Sequence, residues 1–210
     1  MSTASLPPYQ ISIDGFSRDH FRVQSFTGKE ALSEAWSFDV VVTCAPGGDE
    51  IERAVLGQRA VLLFNVGERQ RAFYGIVTAV RLAQVHAADR RIKYHVRVAP
   101  RLWLLKRKKR TRIFQKMRVT DIVTAVLEEA GIAARWQLTR AYPMREYCTQ
   151  YEETDYQFVK RLLAEAGIYF ISPRAPRSTT RPSPPTRRWA RPPLRAARSR
   201  VPSGARMWPR

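Results

Sequence analysis

Apolar and polar residues alternate along the first hundred positions, in short stretches that turn residues separate. Such alternation is the pattern of a β-strand with one buried face. The predicted strands cover residues 9–13, 21–26, 36–43, 60–66, 71–82 and 92–98. Gly75 lies inside one of them and indicates a bulge or the close approach of another backbone. Short, regularly spaced strands predict an antiparallel barrel or closed sandwich over residues 1–100.

The apolar period becomes helical after residue 100. Residues 122–130 and 158–166 each place apolar side chains along one helix face. Residues suited to helix caps flank both stripes. They are Thr120, Thr154 and Gln157 at the starts and Gly131 and Gly167 at the ends. Short strands follow both helices, so residues 101–171 are predicted to be α+β.

The net charge of +19 comes from two short parts of the chain. Residues 173–210 contain 11 Arg and no acidic residue, and residues 101–118 contain nine basic residues and no acidic one. Of 37 basic and 18 acidic residues, 17 basic and 18 acidic remain elsewhere, for a net charge of −1. The overall charge is therefore weak evidence for a polyanionic partner.

Residues 172–210 contain nine of the 14 prolines and few aliphatic side chains, which predicts a disordered tail. An Arg-rich arm for nucleic acid or anionic lipid is one interpretation. Because Arg, Pro, Ala and Ser without Lys are typical of a GC-rich gene read out of frame, we favour the hypothesis of a frameshift or truncation. If no other frame continues a plausible protein beyond codon 170, the nucleotide sequence rejects this hypothesis.

No catalytic, metal-binding or cofactor motif supports an enzyme. His20, His86 and His95 lack metal-ligand spacing and are predicted to be surface residues. Cys44 and Cys148 are predicted to be free buried thiols. No apolar run reaches the ~18 residues of a membrane span.

Two charged clusters have simple structural explanations. Glu152, Glu153 and Asp155 surround the start of the second helix, where the helix dipole favours acidic residues. Residues 106–110 are a basic run without interleaved aromatic residues, which nucleic-acid stacking platforms usually need. A solvated loop or a patch facing an acidic partner is an equally good interpretation of this run.

Four stretches in order, residues 71–77, 100–105, 112–115 and 145–170, resemble the N-terminal hub region of VgrG proteins. These are the spike (tip) proteins of type VI secretion systems, also called Rhs element Vgr proteins, and they are related to phage late-control D proteins and contractile-tail hubs. The resemblance covers residues 6–170. The residues that carry the signature, with a structural or interface role, are Phe73, Gly75, Trp103, Arg112, Phe114, Gln115, Arg145, Tyr147, Gln150, Tyr151, Asp155, Phe158, Leu162 and Gly167.

The resemblance implies a barrel-like hub domain at 1–100, an α+β part of a second, incomplete barrel at 101–171, and the tail at 172–210. It implies a homotrimer that docks on the Hcp tube, without catalytic residues, cofactor or small-molecule substrate. Full-length members can also carry effectors or adaptors. Assembly would be cytoplasmic in a Gram-negative bacterium, with secretion through the type VI apparatus. Since the resemblance ends near Phe170, a truncated hub is expected, and loss of function is one interpretation of it.

The alternative hypothesis is a basic nucleic-acid-binding protein that uses residues 101–118 and the Arg-rich tail. Salt-dependent DNA binding that is lost on deletion of residues 173–210 would favour it. The resemblance makes a nucleic-acid partner the weaker hypothesis.

Overall fold

A six-stranded antiparallel sheet forms the N-terminal part of the structure. The structure is a computed structural model that describes residues 8–45, 51–66, 69–86, 91–172 and 205–209. The strands are β1 (Tyr9–Ile13), β2 (Arg22–Lys29), β3 (Ser37–Cys44), β4 (Arg59–Val66), β5 (Arg69–His86) and β6 (Arg91–Ala99). Their order across the sheet is β1-β4-β5-β6-β3-β2. A short helix, α1 (Ile51–Val55), precedes β4.

The sheet curls until its two edge strands face each other. The rings of Tyr9 on β1 and Phe26 on β2 lie 4.9 Å apart, although these strands do not pair with each other. The long strand β5 contains two register shifts against β6, and such bulges increase the local twist of a sheet. The result is a half-barrel, and the predicted mainly β architecture is confirmed.

Aromatic side chains fill the concave side of the half-barrel. The rings of Phe38 and Phe73 lie 4.7 Å apart, and Trp36 contacts Phe73 at 5.4 Å. A Cβ atom added at Gly75 would lie 2.4 Å from the carbonyl oxygen of Ala99 and 2.7 Å from the Trp36 ring. The prediction of a close backbone approach at Gly75 is therefore confirmed.

Helices and strands are mixed after residue 100. They are a 3₁₀ helix (Arg101–Lys106), β7 (Lys109–Arg118), α2 (Val119–Glu129), β8 (Ala134–Gln137), β9 (Met144–Thr154), α3 (Asp155–Glu165), β10 (Ile168–Phe170) and β11 (Ala205–Pro209). Strands β7 and β9 pair in antiparallel fashion, and we call this pair the ribbon. Strand β11 lies between β8 and β10.

The two helices bury their apolar stripes in a second hydrophobic core, which includes Ile122, Leu127, Phe158 and Leu162. No helix in the described part of the chain has the length and apolar character needed to cross a membrane.

The predicted helix caps are confirmed at three of the four ends. Thr154 and Gln157 form the predicted capping box of α3. Gly131 and Gly167 follow the helices with φ angles of 66° and 67°. Thr120 was the wrong choice of N-cap for α2.

Helix α2 begins one residue before Thr120, at Val119. Strand β7 runs directly into it, so the extended residue Arg118 occupies the N-cap position and makes no side-chain cap. Val119 is buried, which holds the first turn against the core.

The predicted disordered tail has two described parts. Ser172 is buried, and Ala205–Pro209 forms β11, which pairs with β10 and β8. The rest of the predicted tail lies outside the described residues.

Candidate functional site

Arg112 is the centre of a charge network on the inner face of the ribbon. Its Nε donates a hydrogen bond to Oε1 of Gln150 at 2.7 Å, and its Nη2 lies 2.9 Å from Oδ1 of Asp155. Its Nη1 lies 2.8 Å from both carboxylate oxygens of Glu129. One guanidinium therefore joins β7, β9, α2 and α3.

Gln150 and Asp155 are buried parts of this network. The Gln150 amide donates to Oδ1 of Asp155 and to the carbonyl oxygen of Glu153, each at 3.0 Å. Asp155 is the first residue of α3, so the helix dipole does favour it, as predicted. The dipole is only part of the explanation, because two arginines also bind this carboxylate.

Arg110 reinforces the network from the basic segment. Its guanidinium lies 3.0 Å from Glu129 and 3.3 Å from Asp155. Residues 106–110 are all exposed and run from the end of the 3₁₀ helix into β7, and Arg110 among them is ion-paired. Sequence reasoning missed Arg110 and Glu129 as network residues, because nothing in the sequence distinguishes either of them from the charged residues beside it.

Stacked rings join the ribbon to α3. Phe114 of β7 stacks on Phe158 of α3, with ring centroids 5.6 Å apart and an interplanar angle of 15°. The guanidinium of Arg112 lies 5.2 Å from the Phe114 ring, and that of Arg161 lies 5.5 Å from the Phe158 ring. These cation–π contacts link the charge network to the core.

A second set of ion pairs lies along the exposed side of α3. Arg161 pairs with Glu153 and, at 3.1 Å, with Glu165, while Arg145 lies 3.0 Å from Glu165. The hydrogen bond to Glu153 raises the pKa of Arg161. Burial alone would raise the pKa of Glu165, but hydrogen bonds from Arg145 and Arg161 outweigh burial and lower it.

The loop between β2 and β3 fastens the half-barrel to α3 and β10. Tyr156 accepts a hydrogen bond from the Ala35 amide at 3.0 Å and donates one to Glu34 at 2.9 Å. Lys160 pairs with Glu34. The Ser33 amide donates to the carbonyl oxygen of Phe170 at 2.9 Å. We call this set of contacts the clasp.

Ionisation of two clasp residues is shifted by their surroundings. Burial raises the pKa of Tyr156 to about 12, and the hydrogen bond from Lys160 lowers the pKa of Glu34. Sequence reasoning missed the clasp, because more than a hundred residues separate its two sides and the family stretch that includes Tyr156 does not indicate which loop it contacts.

The outer face of the ribbon is exposed and carries large side chains. Tyr151 is 69% exposed, Tyr147 is 56% exposed and Ile113 is 53% exposed. Gln115 is opposite Tyr147 in the register and is also exposed. These residues do not take part in the Arg112 network.

The remaining signature residues lie apart from the ribbon or inside the core. Phe73 and Gly75 belong to the half-barrel core, and Trp103 lies half-buried in the 3₁₀ helix. Leu162 is fully buried and Gly167 ends α3. The signature therefore marks several packing positions and no single pocket.

The histidines and cysteines form no site in the described part of the chain. Cys44 and Cys148 are free and buried as predicted, and burial raises the pKa of both thiols. His95 is exposed, but His20 is not a simple surface residue, since its Nε2 is buried among Phe16 and Phe21. The side chain of His86 lies outside the described residues. No group of three or more potential metal ligands occurs among the residues described.

Residues 29–180 match the model of the phage tail baseplate hub family (GPD), which is more than half of the chain. The chain belongs to this hub family. It is 37% identical over 165 residues to the type VI secretion system spike protein VgrG4b of Pseudomonas aeruginosa. It is 36% identical over 166 residues to VgrG5 of the same organism, and both alignments cover 77% of the chain.

Two solved structures share the fold. The Escherichia coli c3393 protein is described as a type VI secretion component similar to the T4 bacteriophage tail proteins gp27 and gp5. It matches 76% of this chain and 44% of its own, with a TM-score of 0.65 and 30% identity. A 43 kDa prophage tail protein from Shewanella oneidensis matches 76% of this chain and 48% of its own, with a TM-score of 0.56 and 16% identity, and supports the fold alone.

The chain spans about a fifth of the length of the curated spike relatives, 20% for both VgrG4b and VgrG5. The fold and the family are thus shared with a limited part of those proteins.

Proposed function

We propose that this chain is a structural hub component of a type VI secretion spike, which forms a homotrimeric adaptor between the Hcp tube and the spike. The observation that carries the proposal is the match to type VI spike proteins, at 37% identity with VgrG4b and with the same fold as the c3393 protein. Assembly in the cytoplasm of a Gram-negative bacterium and secretion through the type VI apparatus belong to the same proposal.

The contacts within the chain suit a part that bears mechanical load. The Arg112 network ties four secondary-structure elements together, and the clasp holds the half-barrel against α3. Charge-assisted hydrogen bonds of this kind are stronger than neutral ones and fix geometry. We propose that the signature residues act as such packing and interface groups.

Two hub domains with a boundary near residue 100 are part of the proposal. The described residues form two hydrophobic cores, one inside the half-barrel and one around α2 and α3. The first core ends with Val98 of β6 and the second begins with Leu102 of the 3₁₀ helix. We propose a structural role without catalysis, since burial and ion pairing account for the shifted pKa values of Tyr156 and Arg161.

The mass of the chain in solution tests the trimer, by size-exclusion chromatography with light scattering. We expect three times the chain mass of 24.2 kDa, and a stable complex with Hcp rings from the same genome. A monomer at every concentration would contradict the trimer and support a non-functional remnant. A trimer that does not bind Hcp would contradict only the adaptor role.

A further inference from the structure

A cleft of about 380 Å³ opens between the end of the 3₁₀ helix, the start of β7 and the last turn of α2. Its lining residues are Leu104, Leu105, Arg107, Lys108, Arg110, Val126, Glu129, Ala130 and Asp155. Apart from Asp155, none of them belongs to the hub signature. Its volume lies within the range of about 300–1,000 Å³ that is typical of ligand sites.

The lining of the cleft carries an excess of positive charge. Three lining residues are basic and two, Glu129 and Asp155, are acidic. Both carboxylates are already bound by Arg110 and Arg112. Arg107 and Lys108 are exposed and make no ion pair with any residue that the structure describes. These two cations at the rim are therefore available to an anionic ligand.

The wall beside these cations is aliphatic. Leu105 and Val126 are buried in the second core, and Leu104 is half-buried at the surface of the cleft. An occupant that places a carboxylate at the rim and an apolar side chain against Leu104 would satisfy both surfaces. Contact with Leu104 removes apolar area from water, which favours binding.

We propose that this cleft binds an acidic segment of a partner protein, with a carboxylate near Arg107 and Lys108 and an apolar side chain against Leu104. The lining fits a nucleic acid less well. It contains no aromatic side chain on which a base could stack, and its other cation, Arg110, is occupied by Glu129 and Asp155. Binding of the acidic segment to the cleft requires neither trimer formation nor Hcp.

Fluorescence anisotropy with the full chain tests the cleft. The probe is a short labelled peptide of alternating glutamate and leucine, with a glutamine–leucine peptide and an oligothymidine strand as comparisons. The test variant is Arg107→Glu with Lys108→Glu, and the matched control is Lys116→Glu with Arg118→Glu. Both controls are exposed residues of the same basic segment that do not line the cleft. Because both pairs change the net charge by −4, the non-specific electrostatic attraction between the whole chain and the acidic peptide falls equally.

The cleft pair of substitutions is expected to weaken binding of the acidic peptide by about tenfold more than the control pair. Leu104→Ser is expected to weaken the same binding without any change of charge. Circular dichroism checks that each variant is folded, and the Arg107→Gln with Lys108→Gln pair replaces a variant that is not.

Four results would overturn the proposal. They are equal losses in the two charge pairs, equal binding of the glutamine peptide, no binding of the acidic peptide in the millimolar range, and tighter binding of oligothymidine that the cleft pair abolishes. The last result would instead favour a nucleic-acid site.

Discussion

Replacing Arg112 with methionine removes one guanidinium and keeps a flexible, unbranched side chain. The change takes hydrogen-bond donors from Gln150, Asp155 and Glu129 at once. Gln150 is completely buried and the Asp155 side chain is only 9% exposed, so water replaces the lost donors poorly. Glu129 is 45% exposed and can be solvated.

The expected loss follows from these exposures. Breaking a buried ion pair costs about 3–5 kcal/mol, whereas an exposed pair contributes about 0–1 kcal/mol. Arg110 still lies 3.3 Å from Asp155, which lowers the cost. We therefore expect Arg112→Met to reduce the free energy of unfolding by about 2–4 kcal/mol. Arg112→Lys should lose less, because it keeps the charge but not the planar fork of donors.

Urea unfolding followed by circular dichroism measures this loss. Arg118→Met is the matched control, because Arg118 is exposed and has no ion pair within the described residues, and it should change the free energy by less than about 0.5 kcal/mol. A double-mutant cycle of Arg112→Met with Asp155→Asn should give a coupling above about 1 kcal/mol. Equal losses at positions 112 and 118, or an additive cycle, would refute the central role of Arg112.

Two other predictions concern the half-barrel and the clasp. Gly75→Ala places a Cβ against the Ala99 backbone and the Trp36 ring, so it should lower the free energy of unfolding in urea by about 1–3 kcal/mol. A loss below about 0.5 kcal/mol would contradict the close approach as a steric constraint. Because the pKa of Tyr156 is raised to about 12, its stabilisation is present below its ordinary pKa of 10.0 and is lost as the pH rises from there through about 12. Tyr156→Phe should reduce the fall in the free energy of unfolding between pH 10 and about pH 12. An unchanged dependence on pH would contradict the assignment of this fall to Tyr156.

Local sequence patterns predicted the elements that are determined by neighbouring residues. Alternation identified the strands of the half-barrel, and Thr154 with Gln157 identified the start of α3, because both signals depend on neighbours in the sequence. The N-cap of α2 was misplaced, since a buried residue at the junction with β7 begins that helix earlier than the first hydroxyl.

The candidate sites were predicted less well, because they depend on distant partners. The basic segment was recognised from its charge, but the pairing of Arg112 with Glu129 and Asp155 requires the ribbon to pack against both helices. Likewise, nothing near Glu34 indicates that Lys160 will pair with it.

The clasp also limits the order in which the chain can fold during synthesis. The hydrogen bond from Ala35 to Tyr156 spans 121 residues. A further hydrogen bond, from the Phe170 amide to the Ser33 hydroxyl, spans 137. On the ribosome, the half-barrel leaves the exit tunnel long before these partners exist, and N-terminal parts fold first. The β2–β3 loop therefore cannot form the clasp until α3 and β10 have emerged, which places these contacts among the last to form during synthesis.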